Sequence, residues 1–183
     1  LTEGLLFLAR YPEGDEYSDF RAVAVEAVAE AISARGMIGG QVEDLEATGQ
    51  LDGGTADPEQ RLDRIHRLKT GCLLRVSVEV GAILAGATDS ARRRFASYGD
   101  ALGLAFQVSD DILDATATDE TLGKTVGKDV AAGKLTYVTL YGLDSARRHL
   151  DDLEKRTTEL AREIEGDDGE LGAIAKFVCH RQS

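Results

Sequence analysis

The stretch from Ala101 to Asp114 reads ALGLAFQVSDDILD and joins an apolar run to an acidic cluster. Its first six residues are apolar or glycine, which predicts the interior of a buried helix. At ~100° per residue, four polar side chains that follow fall within about a 100° arc of this helix: Gln107, Asp110, Asp111 and Asp114. Carboxylates crowded at the end of a buried helix need partners, so the cluster predicts bound cations.

The chain after this cluster supplies positive charge. Lys124, Lys128 and Lys134 lie among glycines, which let backbone approach an anion closely while the lysines supply donors. Carboxylate oxygens suit Mg²⁺, which proteins hold through one or two carboxylates together with water and substrate phosphate. The layout predicts a metal-bridged diphosphate site. For an isolated acidic triplet, the alternative is a solvated helix face.

The rest of the chain also reads as helix, with a start at Asp57-Pro58-Glu59-Gln60. Asp57 can cap the helix, Pro58 suits its first position, and the helix is expected to run to about Gly86. Four further segments have helical patterns, at 20–35, 90–114, 135–143 and 145–165, and a short helix ends the chain. The pattern predicts a single all-α domain over residues 1–183.

Two further polar runs are candidates for the same site. In GGQVED, Gln41 and Asp44 are three residues apart and share a helix face, while HRLKTG places Lys69 beside Thr70. Taken alone, the first run is equally compatible with a helix junction, and a Lys-Thr pair is usually surface. The functional interpretation rests on their occurrence in one helical chain with the acidic cluster.

Composition limits the classes of function. The 183 residues include 21 Lys and Arg against 33 Asp and Glu, a net charge of -12, which argues against a nucleic-acid surface. No apolar run approaches the ~20 residues of a transmembrane helix, and no secretory signal is visible. Cys72 and Cys179 lack metal-ligand spacing and are expected to be reduced thiols in a cytoplasmic protein.

The chain resembles the trans-isoprenyl diphosphate synthases, specifically the short-chain farnesyl and geranylgeranyl diphosphate synthases. The matching runs are GQVEDL, HRLKTG, GLAFQVSDDILD and LGKTVGKDVAAGKLTY, in order along most of the chain. The resemblance implies the isoprenoid synthase helical bundle, a homodimer, and Mg²⁺ bound by the second Asp-rich motif to bridge the allylic diphosphate. The implied reaction joins isopentenyl diphosphate to an allylic diphosphate, through ionisation, attack by the double bond and loss of a proton.

The resemblance also implies roles for individual residues. The metal ligands would be Asp110 and Asp114, with Asp111 supporting them. The allylic diphosphate would be held by Lys69, Lys124 and Lys134. Thr70 and Gln107 would line the cavity and stabilise the developing carbocation, and Gln41 and Asp44 would contribute to substrate binding.

One family feature has no counterpart here. The family carries a first Asp-rich motif on an earlier helix, whereas Asp151-Asp152-Leu153-Glu154 is better interpreted as a solvated surface. We therefore expect a bundle that is incomplete at its N-terminus and has no independent turnover. Two alternatives remain open: a non-catalytic partner subunit of a complete synthase, and a terpene cyclase of the same fold. The Gln41–Asp44 and Lys134 features favour an elongation enzyme over a cyclase.

Overall fold

The computed structural model describes residues 1–49, 57–116, 134–167 and 169–181, and within these ranges it contains helices and no strand. The elements before the long central helix are α1 (Thr2–Arg10), a 3₁₀ turn (Asp15–Tyr17), α2 (Ser18–Ile32), α3 (Met37–Ala47), α4 (Pro58–His66), a π-helical turn (Arg67–Gly71) and α5 (Cys72–Leu84). The remaining helices are α6 (Asp89–Thr116), α7 (Tyr137–Tyr141), α8 (Leu143–Glu165) and α9 (Glu170–His180). The predicted all-α class is confirmed.

Helix α6 is the centre of the packing, with α5 against one side and α8 and α9 against another. The buried core joins Tyr98, Leu102 and Val108 of α6 to small and aliphatic side chains of α8 and α9. The Tyr98 hydroxyl donates a 2.8 Å hydrogen bond to the Leu171 carbonyl, so the one polar atom of this ring is satisfied. The apolar run 101–106 is mostly buried, as the sequence predicts.

The helix start at Asp57 is confirmed, because the Asp57 carboxylate accepts a 3.2 Å hydrogen bond from the Gln60 N–H and Pro58 is the first helical residue. The helix that follows is not uniform as expected. A π-helical turn of five residues, Arg67–Gly71, separates α4 from α5. Such a turn carries an extra residue and re-aims the side chains around it, and it has no reliable mark in the sequence.

The expected helix 135–143 is shorter, and the break before α8 falls at Gly142, two residues earlier than predicted. Gly142 has φ +82°, a conformation that favours glycine. Helix α7 begins at Tyr137 with a capping box, in which the Thr136 and Thr139 side chains each accept from the other residue's backbone N–H. None of the described helices combines the length and apolarity needed to cross a bilayer.

Candidate functional site

Asp110 lies near the C-terminal end of α6 and is paired with a cation from the end of α9. The Arg181 guanidinium donates to the Asp110 carboxylate at 2.8 Å and to the Phe106 carbonyl at 3.3 Å. It also lies 4.0 Å from the centre of the Phe106 ring, a cation–π geometry. The Arg181 side chain is only 12% exposed, so it is a fixed counter-charge rather than a mobile surface group.

Asp111 points into the interior and is only 7% exposed. Its carboxylate accepts a 2.8 Å hydrogen bond from the Tyr137 N–H at the start of α7. Burial raises the pKa of Asp111 to about 7, although the Tyr137 hydrogen bond and the charge of Lys134 act to lower it. Asp110 and Asp111 therefore face different surroundings, although they share the predicted helical arc.

His66, the last residue of α4, is buried beside Asp111. Its Nε2 lies 3.6 Å from an Asp111 carboxylate oxygen, which is too long for a hydrogen bond. Burial, assisted by the charge of Lys134, lowers the pKa of His66 to about 4, so the imidazole is neutral at pH 7 and the contact is not an ion pair. The Tyr137 ring is stacked between His66 and His149, with centroid distances of 5.5 and 5.1 Å.

Helix α3 crosses the π-helical turn at close range and pairs two of the predicted residues. The Lys69 ammonium lies 2.5 Å from the Asp44 carboxylate, and both side chains are largely shielded from solvent. This approach depends on Gly40, because a Cβ there would lie 2.2 Å from the Lys69 backbone nitrogen. Gln41, three residues from Asp44, is exposed instead of sharing this contact.

Thr70, the neighbour of Lys69, lines an open pocket of about 370 Å³. Lys69 also lines this pocket, and the other lining side chains belong to α5 and α6: Leu73, Leu74, Ser77 and Phe106. A pocket lined by apolar side chains together with a cation and a hydroxyl can accommodate a molecule that has a hydrocarbon part and an anionic part.

Electrostatic interactions connect the Lys69–Asp44 pair with the acidic end of α6. The charges of Lys134, Asp44 and Lys69 all act on the pKa of His66, and Lys134, Asp110 and Asp114 act on that of Asp111. The structure thus brings most of the predicted residues around His66 and the end of α6. Gln107 is half-buried on α6, and Asp114 is exposed one turn beyond Asp110. Lys124 lies outside the described residues.

The fit of a metal can be judged from the donor set. Within the described ranges, no group of three or more His, Cys, Asp or Glu side chains is arranged to hold a metal by itself. Asp110 and Asp114 are four residues apart on one helix, and two carboxylates are what Mg²⁺ takes from a protein when water and phosphate complete its shell. These residues fit Mg²⁺.

Three residues of this region were not singled out from the sequence: His66, Tyr137 and Arg181. His66 lies three residues before Lys69 in HRLKTG, so its position was a usable signal. Arg181 is 71 residues from Asp110 in the chain. No local pattern indicates such a contact.

Known proteins are similar to this chain in sequence and in architecture. The chain is 37% identical over 172 residues to geranylgeranyl pyrophosphate synthase 4 of Arabidopsis thaliana, covering 92% of this chain and 45% of that protein. It is 38% identical over 178 residues to a chloroplastic heterodimeric geranylgeranyl pyrophosphate synthase large subunit 1 of the same plant, covering 96% and 47%. The chain spans about half the length of these curated relatives.

Solved structures agree with the sequence comparison. An FPP/GFPP synthase from Zymomonas mobilis superposes with a TM-score of 0.76 at 28% identity, over 97% of this chain and 57% of that one. The all-α fold is therefore that of the isoprenyl diphosphate synthases, and the expected resemblance is confirmed. Residues 5–167 match the family described as Polyprenyl synthetase, so the chain belongs to the polyprenyl synthetase family.

Proposed function

We propose that this protein is a Mg²⁺-dependent prenyltransferase that condenses isopentenyl diphosphate with an allylic diphosphate to make farnesyl or geranylgeranyl diphosphate. The observation that carries the proposal is the convergence of two lysines and the acidic end of α6. Lys69, held against Asp44, and Lys134 both act electrostatically on His66, which lies beside Asp111. The family membership supports the same reaction class.

The proposal assigns the residues as follows. Asp110 and Asp114 hold Mg²⁺, with Asp111 supporting them, and Lys69, Lys124 and Lys134 bind the allylic diphosphate. Thr70 and Gln107 line the cavity, and Gln41 and Asp44 contribute to substrate binding. The pocket formed by Lys69, Thr70 and Phe106 supports this assignment, since an apolar chain can follow Leu73 and Leu74 while the diphosphate stays at its polar edge.

The proposed role of these side chains is mainly electrostatic, because charge develops on both the diphosphate and the allylic group during the reaction. Lysine ammonium groups beside the diphosphate stabilise the negative charge that grows on it as the allylic bond breaks, and they do so without reorganisation because Lys69 is already fixed. Bound Mg²⁺ would supply Lewis-acid stabilisation of the same diphosphate. The Thr70 hydroxyl, which lines the pocket, and the amide of Gln107, which follows the lining residue Phe106 in the chain, would offer neutral dipoles to the carbocation.

We propose further that residues 1–183 belong to one domain and that the protein is a cytoplasmic homodimer. The unpaired Cys72 and Cys179 support a reducing compartment. Exposed apolar side chains on α1 and α2, including Phe7 and Phe20, support a self-associating surface. Since several similar proteins are named chloroplastic and one is named mitochondrial, cell fractionation distinguishes the cytoplasm from an organelle.

The test begins with the intact mass of the natural protein, followed by elongation assays with allylic and isopentenyl diphosphates and Mg²⁺. Asp110→Ala should lower kcat by at least about a hundredfold if this carboxylate stabilises the departing group through the metal. Asp100→Ala is the matched control on the same helix. Its side chain is exposed and lies 3.7 Å from Arg75, and residue 100 is about 15 Å along the helix from residue 110.

A natural protein that elongates prenyl diphosphates, and loses this with Asp110→Ala but not with Asp100→Ala, supports the proposal. A protein that stays inert with every predicted residue intact contradicts it. In that case a non-catalytic partner subunit is favoured, and co-purification with a longer relative becomes the next observation to seek.

A further inference from the structure

Asp111 differs from its two acidic neighbours in what surrounds it. Asp110 has a half-exposed side chain and faces Arg181, and Asp114 is exposed. The Asp111 side chain is buried, and one of its oxygens already accepts from the Tyr137 N–H at 2.8 Å. A ligand for a metal shared with substrate must be open to both, and Asp111 faces the protein interior instead.

The partner of Asp111 is the first residue of α7. The first N–H groups of a helix have no partner within the helix. Thr136 satisfies the N–H of Thr139, and Asp111 satisfies that of Tyr137. The contact therefore fastens α7 to α6, and it satisfies an N–H group that has no acceptor within α7.

Aromatic packing extends this fastening to α4 and α8. The Tyr137 ring is held between His66 at the end of α4 and His149 of α8, and its plane is inclined by 21° and 14° to theirs. His66 also leads directly into the π-helical turn that carries Lys69. One residue, Tyr137, thus meets three helices besides its own.

The functional consequence concerns Lys134, three residues before Tyr137. Its charge acts on both Asp111 and His66, so the ammonium lies within electrostatic range of both. The backbone from Lys134 to Tyr137 is further tied by the Lys134 carbonyl, which accepts from the Thr139 hydroxyl at 3.1 Å. A shift of the start of α7 would therefore move this lysine relative to the acidic cluster.

We propose that Asp111 is a positioning residue that fastens α7 to α6 and thereby sets Lys134, and that it is not a ligand of the metal. The inference rests on the proposed function for its metal and diphosphate, while the fastening itself concerns the unliganded protein.

The test compares Asp111→Asn, Asp111→Ala and Asp110→Asn at pH 7.5. The asparagine carbonyl can still accept from the Tyr137 N–H, whereas alanine cannot. In the metal-free protein, amide hydrogen exchange followed by NMR should be at least about tenfold faster at Tyr137 in Asp111→Ala, and near wild type in the other two. Exchange at the buried Leu153 in α8 is the internal reference for global stability.

The second measurement is calorimetric binding of Mn²⁺ in the presence of inorganic pyrophosphate. Asp110→Asn should weaken binding by about tenfold or more, Asp111→Ala by a similar factor, and Asp111→Asn by less than about threefold. Rescue by asparagine is the result expected of a positioning residue. Equal loss in Asp111→Asn and Asp110→Asn would overturn the proposal, as would unchanged exchange at Tyr137 in Asp111→Ala.

The two measurements separate this inference from the function on which it rests. If the wild-type protein bound no Mn²⁺ with pyrophosphate, the proposed function would be contradicted. The exchange measurement needs no metal, so it would still decide whether Asp111 fastens α7.

Discussion

His66 and Asp111 lie side by side in the interior, and burial moves their pKa values in opposite directions. The pKa of His66 falls from 6.5 to about 4, and that of Asp111 rises from 3.8 to about 7. Between about pH 4 and pH 6.5, the unfolded chain carries a proton on His66 and the folded chain carries one on Asp111. The pair takes up no net proton on folding, so its two contributions to the pH dependence of stability nearly cancel.

Single substitutions should reveal the separate contributions of His66 and Asp111 to the pH dependence of stability. In Asp111→Asn only His66 remains, and since the unfolded state then binds more protons, the free energy of unfolding should rise with pH from about 4 to 6.5. In His66→Gln only Asp111 remains, and since the folded state binds more protons, stability should fall as pH rises from about 4 to 7. Urea unfolding across this range should show slopes of opposite sign, with total changes of up to about 3 kcal/mol in Asp111→Asn and about 4 kcal/mol in His66→Gln.

The double variant is the control for this prediction. With both groups removed, its pH profile should run parallel to that of the wild-type protein, because the remaining titrations are common to both. Single variants whose profiles also run parallel to the wild type would contradict the opposed pKa shifts.

The crossing of α3 over the π-helical turn is the element-scale feature that builds the site. Gly40 has no side chain to keep the helices apart, and the Lys69 backbone occupies the space that a Cβ would need. The same approach brings Asp44 to the Lys69 ammonium. A methyl group at residue 40 should therefore separate α3 from the turn.

We predict that Gly40→Ala lowers the free energy of unfolding by about 1–3 kcal/mol, because the added atom meets backbone that cannot rotate away. The matched control is Gly81→Ala in α5, where a Cβ would have nothing within 4 Å. Loss of a helical glycine there should stabilise the protein by about 0.5–1 kcal/mol. Urea denaturation of both variants measures the contrast, and equal effects would show that the close approach is not what Gly40 provides.

The sequence predicts elements whose causes are local. The cap at Asp57, the long helix predicted over 90–114 and observed over Asp89–Thr116, and the buried run 101–106 each follow from the residues within a few turns. The break at Gly142 was misplaced by two residues because several polar residues there can end a helix. The π-helical turn could not be predicted, since it depends on packing against α3 and α6 that no short window contains.

For the candidate site too, contacts between residues with a recognisable motif were predictable from the sequence, and contacts set by tertiary packing were not. Lys69 and Asp44 were named from their motifs, and the structure brings them into contact. Helical periodicity gives the direction of the Asp111 side chain relative to that of Asp110. It does not give their neighbours, which come from α4 and α7 for Asp111 and from the end of α9 for Asp110. Arg181 and Tyr137 therefore entered only through tertiary structure.

At the scale of the whole molecule, an acidic chain must hold anionic substrates. The net charge of -12 repels a diphosphate at long range. Near the candidate site, the structure contains cations that are held in place by carboxylates. Lys69 is held by Asp44, and Arg181 by Asp110. Since each of these pairs is neutral overall, a bound divalent metal would be the group that inverts the field at this one site.

Exposed apolar side chains among the described residues are most numerous on the first three helices and the residues beside them, and two more lie on α9. They include Leu6 and Phe7 on α1 and Phe20 and Val23 on α2, and Phe7 is 61% exposed. The two helices pack against each other. On α9, at the other end of the chain, Phe177 is 72% exposed.

We predict that the protein forms a homodimer through α1 and α2 and that Phe7→Glu shifts it to monomer, because a buried unpaired carboxylate would oppose association. Phe177→Glu makes the same chemical change at a more exposed phenylalanine. If the interface is specific, this control stays dimeric, whereas general hydrophobic adhesion would be weakened at least as much by the change at the more exposed ring. Sedimentation equilibrium at several concentrations measures the dissociation constant of each variant. A dimer that survives Phe7→Glu, or dissociates with Phe177→Glu instead, would locate the interface elsewhere.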